Sequence, residues 1–188
     1  MPEVRIDQVG QYTIDRVNAV LHSIGKGSAA FQAIGAAMKR SSDSAKTQAG
    51  RYAAETYNIS KGKFMANCNI STKMQGGSGG VTSVELLFAG KVLRLIEFGA
   101  KGSKRGGVYA APKNGGGNIR SAFITAIYGQ TGVWERVGRT RFPVEQKYGP
   151  STGHMMQDEG VSEQLTDHIQ EVFDSRIEHE ITRILNGW

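Results

Sequence analysis

The sequence predicts an α+β fold: a mainly antiparallel β-sheet packed by a long N-terminal helix and a C-terminal amphipathic helix, with long glycine-rich loops. Three observations predict it. Apolar and small residues recur at three- or four-residue steps over 28–57 and again over 160–186, which is the helical period. Between them, from 64 to 147, the pattern is that of short extended runs bounded by glycine or proline. The chain also carries 25 glycines in 188 residues, where average usage of about 7% would give roughly thirteen.

In chain order, Val9, Tyr12, Val17, Val20, Leu21 and Ile24 predict a first amphipathic helix over 9–24, closed by Gly25-Lys26-Gly27. Ser28 is a suitable N-cap for a helix to about Tyr57, whose Ala33, Ala36, Ala37, Ala45, Ala49 and Ala53 form a small-residue face open to close packing. Val81–Ala89 and Val92–Phe98 read as a hairpin turning at Gly90-Lys91, and further strands are expected at 67–73, 107–111, 121–128, 132–137 and 142–146. Two glycine-rich loops interrupt this β-rich region: 76–80, and a basic one over 99–118. Val161, Leu165, Ile169, Val172, Phe173, Ile177, Ile181, Ile184 and Leu185 make the stripe of the last helix, which Gly187 stops. The order helix, helix, sheet, helix fits a single domain over 1–188: helical at 9–57, β-rich at 64–147, and helical at 160–186.

A chain of this length with 39% hydrophobic residues buries enough surface for one core without covalent staples. Cys68 is the only cysteine, so no intramolecular disulfide or thiolate cluster forms, which suits a protein folded in a reducing cytoplasm. No apolar run approaches the roughly 18 residues of a membrane span, and the N-terminus does not resemble a signal peptide. The formal charge of +6 is unevenly spread: residues 91–157 hold eleven Lys/Arg against three Asp/Glu, and residues 158–188 hold two against eight. A basic middle and an acidic end are complementary surfaces, favouring contact with further copies of the chain or steering toward a polyanion.

The residues do not assemble a catalytic centre. Gly76-Gly77-Ser78-Gly79-Gly80 matches G-x-S-x-G, but that elbow requires a helix after the serine and an extended run follows here. His179-Glu180 opens the zinc-protease pattern H-E-x-x-H, yet Arg183 stands where the second histidine belongs. The basic 99–118 loop has no Walker spacing, and its clustered cations suit solvent or non-specific phosphate contact instead. The expectation is therefore no enzyme, no metal and no cofactor.

Ala122 to Ser151 reads AFITAIYGQTGVWERVGRTRFPVEQKYGPS. This resembles the signature of the prophage minor tail protein Z family and related phage tail-completion proteins. The matching positions are Ala122, Phe123 and Ile124; Gly132, Val133, Trp134 and Arg136; Arg139 and Arg141; Pro143; and Gly149, Pro150 and Ser151. Weaker likeness extends to Leu95–Ala100, the alanine-rich helix and the C-terminal helix, whereas the 76–80 loop does not map onto the family pattern.

The resemblance implies a virion structural protein at the head-proximal end of a phage tail, made in the host cytoplasm. It would act in tail completion, tail termination or head-tail joining at the neck, as a homo-oligomeric ring, sixfold by analogy. The implied partners are other copies of itself, the tail tube protein, neck or head-tail connector proteins and, without base specificity, DNA in the lumen; no membrane is involved. Candidate subunit or DNA contacts are Lys101, Lys104, Arg105, Lys113, Trp134, Arg136, Arg139 and Arg141. The candidate acidic partner surface is Glu163, Asp167, Glu171, Asp174 and Glu178. Trp134 has a second reading as an ordinary core residue, and the basic block has one as a DNA-binding module.

Overall fold

In the computed structural model the described residues are 27–77, 80–104, 106–127 and 129–186, together with Asp15 and Ala19. The helix expected over 9–24 lies outside them apart from Asp15 and Ala19, which are helical. The class is α+β. Contacts divide the chain into two compact units: the first takes Gly50–Asn69 and Ala89–Val161, the second Ile70–Phe88 and Ser162 onward together with the chain up to Ala49. Neither is continuous in sequence, because each gathers separated stretches of chain.

The second unit is built on helix α1, Gly27–Thr56. Ala33, Ala37, Ser41, Ala45 and Ala49 are buried at four-residue intervals, so a ridge of minimal side chains lets a second helix approach closely. That helix is α4, Glu159–Leu185, which packs Phe173 and Ile177 with Ala33, Ile34, Ala37 and Met38, and Ile181 and Ile184 cover the cluster. Full burial of Phe173 and Ile177 contributes about 1.5–3 kcal/mol each. The Ser44 hydroxyl and His168 Nε2 lie 2.8 Å apart, a hydrogen bond tying α1 to α4.

Strand β1, Cys68–Gly77, pairs with β2, Gly80–Gly90. This corrects the expected hairpin: the partner of the apolar 81–89 run precedes it in sequence, and Val92–Phe98 is not its mate. Only β3, Val92–Arg94, is extended there; Leu95–Phe98 forms a 3₁₀ turn with Leu95 and Phe98 both buried. An apolar pair three residues apart lies on one face of a 3₁₀ turn, whereas in a strand the two would point to opposite faces.

In the first unit, α2, Lys61–Asn67, is capped by Ser60, whose hydroxyl accepts the Lys63 N–H, and it buries Phe64. Strand β10, Tyr148–Ser151, pairs antiparallel with β3 and runs into the short helix α3, Thr152–Met156, capped by the Ser151 hydroxyl. The 99–118 segment is not one long loop. It forms an antiparallel three-stranded sheet of β4, Lys101–Gly102, β5, Val108–Ala110, and β6, Gly117–Ile119. Its turns use positive φ at Gly99, Gly106, Gly107 and Gly115, angles that glycine adopts without the steric cost a Cβ brings. A second three-stranded antiparallel sheet joins β7, Ala122–Ile127, β8, Gln130–Arg136, and β9, Val144–Gln146. Leu95, Ala100, Val108, Ala110, Ala122 and Val133 form the core that these elements share. The described strands thus lie in four small sheets, not in one.

Candidate functional site

The motif segment is a structural piece in its own right, since Ala122 opens β7 and Ser151 closes β10. Its residues meet across strands: Phe123 opposes Trp134 and Ile124 opposes Val133, the pairs of aromatic and β-branched residues that stabilise a sheet. Trp134 is 8% exposed and donates its indole N–H to the Thr125 carbonyl at 3.1 Å. Its core reading is therefore the one the geometry matches. Gly132 leaves the room Trp134 needs, because a Cβ there would stand 2.6 Å from Gln146 Nε2 and 3.1 Å from Trp134 Nε1.

Beyond Trp134 the polar residues of β8 turn outward. Glu135 accepts hydrogen bonds from Lys147 and Ser121, in that order of effect, and both hold its carboxyl below the ordinary range. Glu135 in turn raises Lys147. Exposed Arg136 lies over the Phe123 ring at 5.0 Å, a cation–π contact, and among the described residues no carboxylate pairs with it.

The connection from β8 to β9, Val137–Pro143, carries Arg139 and Arg141. Every residue from Arg136 to Pro143 is exposed, including Val137 at 58% and Phe142 at 61%. Within the loop the Val137 N–H donates to the Pro143 carbonyl at 3.1 Å and Thr140 Oγ1 donates to the Phe142 carbonyl at 2.5 Å. Arg141 lies 5.8 Å from the Phe142 ring centre. Among the described residues neither Arg139 nor Arg141 pairs with a carboxylate. Two exposed apolar residues around two arginines have the composition of a contact surface. The sequence motif marks Arg139, Arg141 and Pro143, but it does not single out Val137 or Phe142, whose hydrophobicity reads equally as core.

The other basic candidates are placed differently. Lys101 is exposed opposite Tyr109 on the β4–β5 edge, Lys104 is exposed in the following turn, and Arg105 lies outside the described residues. Lys113 is committed internally: its ammonium pairs with Asp158 and lies 5.6 Å from the Tyr57 ring centre. Tyr57 donates its hydroxyl to the same Asp158 oxygen at 3.1 Å. Lys101, Tyr109, Phe98, Tyr57 and Ser60 line an open groove of about 510 Å³. Its rim is aromatic and cationic, and the Ser60 hydroxyl that lines it accepts the Lys63 N–H as the cap of α2.

In the second unit, Glu163, Asp167, Glu171 and Glu178 are exposed along α4 and Asp174 is half-buried, its carboxylate accepting from the Gln170 amide at 2.9 Å. At roughly 100° per residue these five positions fall within an arc of about 80°. Leu165, Ile169, Phe173 and Ile177 are buried on another face, so the carboxylates form one continuous outward stripe. Lys39, Arg40 and Arg176 line a separate groove with Asp43, Ser44 and Thr47.

Ser78 of the G-x-S-x-G pattern lies outside the described residues. Burial, opposed by a hydrogen bond with Thr152, raises the Cys68 thiol above its ordinary value, which disfavours the nucleophilic thiolate. Among the described residues no group of three or more His, Cys, Asp or Glu side chains is placed to hold a metal ion. No described helix is long and apolar enough to cross a membrane. No protein-family profile, curated protein or solved structure matches the chain.

Proposed function

We propose that the chain is a non-enzymatic virion structural protein at the head-proximal end of a bacteriophage tail, where it completes or terminates the tail, or joins it to the neck, as a ring of identical subunits. The observation that carries this reading is the 122–151 motif, whose thirty residues coincide with β7 through β10 and the arginine-bearing loop between β8 and β9. The motif's apolar positions build the sheet and its arginines stand on the surface, an arrangement suited to presenting a contact. A ring needs heterologous interfaces, in which one face of each copy meets a different face of the next. An arginine loop and an acidic helix stripe on the same chain are two such faces.

The exposed arginines also favour a second reading, a basic DNA-binding module, because unpaired cations are what non-specific phosphate binding requires. Native mass at low and high salt, with and without the tail tube protein, separates the two. A ring, formed alone or on the tube, is the expected result. A monomer that ignores the tube and binds duplex DNA with a steep salt dependence would overturn the tail reading in favour of the nucleic-acid one.

A further inference from the structure

We infer that the Val137–Pro143 loop of one copy docks on the acidic stripe of α4 in the next copy, with Arg139 and Arg141 facing Glu163, Asp167 and Glu171. This deepens the ring reading and rests on it. The loop supplies the first half of the case. Within eight consecutive exposed residues, from Arg136 to Pro143, the Val137 N–H donates to the Pro143 carbonyl and the Thr140 hydroxyl to the Phe142 carbonyl, contacts that lower the ordering cost of binding. Val137 and Phe142, 58% and 61% exposed, flank arginines that have no carboxylate partner among the described residues. Arginine beside an exposed aromatic is a composition typical of interface anchors.

The occupant follows from charge. Residues 158–188 carry eight Asp/Glu against two Lys/Arg, and on α4 the carboxylates gather on one face instead of being dispersed. From Glu163 to Glu178 the stripe runs about 22 Å at 1.5 Å per residue, long enough to receive both arginines. Guanidinium groups match carboxylates in a two-point geometry that lysine cannot reproduce, so the contact has orientation as well as attraction. Loop and stripe are different surfaces of one chain, so the contact is compatible with the head-to-tail succession of copies that a ring requires.

The test is a charge exchange read by sedimentation velocity, on the full chain under the conditions in which the wild type assembles. One variant is Arg139→Glu/Arg141→Glu and the other Asp167→Lys/Glu171→Lys; all four sites are exposed. Circular dichroism and thermal melting verify that each variant is folded. Each alone is expected to lose self-association by more than roughly tenfold, since like charges then face each other. An equimolar mixture is expected to regain the wild-type mass, because every loop in an alternating ring then meets a stripe of opposite sign. If both folded variants assemble as the wild type does, or if the mixture stays dissociated, the loop-to-stripe contact is wrong while the ring stands. A wild type that remains monomeric even with the tube protein overturns the contact and the ring together.

Discussion

At the scale of single residues, Tyr57, Asp158 and Lys113 show how a charge expected at the surface becomes structural. Tyr57 is buried, and burial first, then the hydrogen bond and charge of Asp158, push its phenol from the ordinary 10.0 to about 12. The fold therefore favours the neutral phenol, a contribution complete below pH 10.0 and lost as pH rises toward about 12. Asp158 is shifted the other way: Lys113 first, with Tyr57 assisting against burial, holds the carboxyl below its ordinary 3.8. Its contribution is present above that value and lost as pH falls through the lowered one. Asp158→Asn should flatten the acid-side loss of stability in denaturant titrations. In a tyrosinate absorbance titration it should move Tyr57 downward yet leave it above 10.0, because burial, the largest cause, remains. An unchanged Tyr57 titration in that variant would show that the carboxylate does not act on the phenol. Nothing in the sequence marks this triad, since its members are separated by 101 and 45 residues, and the count of cations in the basic block treats Lys113 as available.

At the scale of elements, periodicity was informative where an element is long and ambiguous where it is short. The four-residue recurrence of Ala33, Ala37, Ala45 and Ala49 identifies both the helix α1 and its packed face, because a long amphipathic pattern fits few other structures. Val92–Phe98 reads as a strand because a short run of five apolar residues, broken by Arg94 and Glu97, is compatible with strand and with tight helical turn alike. The glycines of 99–118 read as loop, yet they make the turns of the β4–β5–β6 sheet, and their positions grade what a side chain would cost. Gly102 has no neighbour within 4 Å and no positive φ, Gly106 has φ +83° in open space, and at Gly107, φ +82°, a Cβ would stand 2.3 Å from the Ile119 carbonyl oxygen. Alanine at these three sites should therefore be near neutral at Gly102, lose about 1–2 kcal/mol at Gly106 from left-handed backbone strain, and lose more at Gly107, where a backbone clash adds about 1–3 kcal/mol. Denaturant midpoints with unchanged slopes measure the series. Equal losses at Gly106 and Gly107 would mean that the close approach to Ile119 relaxes freely.

At the scale of the whole molecule, the asymmetry of charge is plain in the linear sequence, but which charges remain available is not. Lys113 and Lys147 are engaged by Asp158 and Glu135, and the cations left exposed include Arg136, Arg139 and Arg141 around one loop. The two compact units are likewise hidden from a linear reading, because each gathers separated stretches of chain. Phe142 tests what the loop is for. At 61% exposure its side chain contributes little to the fold beyond the stacked Arg141, so Phe142→Ala should change stability by no more than about 0.5 kcal/mol. If the loop is an assembly contact, the same substitution removes an apolar anchor beside the arginines and should weaken association by roughly tenfold or more. Raising salt should weaken the wild type further, since charges at an accessible rim are screened over about 10 Å at 0.1 M. The control is Val92→Ala, which removes a side chain nearly as exposed, at 57%, from β3 instead of the loop and should leave assembly unchanged. Melting temperature and sedimentation on the three proteins separate the cases: Phe142→Ala that melts and assembles like the wild type would make the loop's exposed apolar surface incidental. Loss of assembly in Phe142→Ala with Val92→Ala intact would locate the contact at the β8–β9 loop.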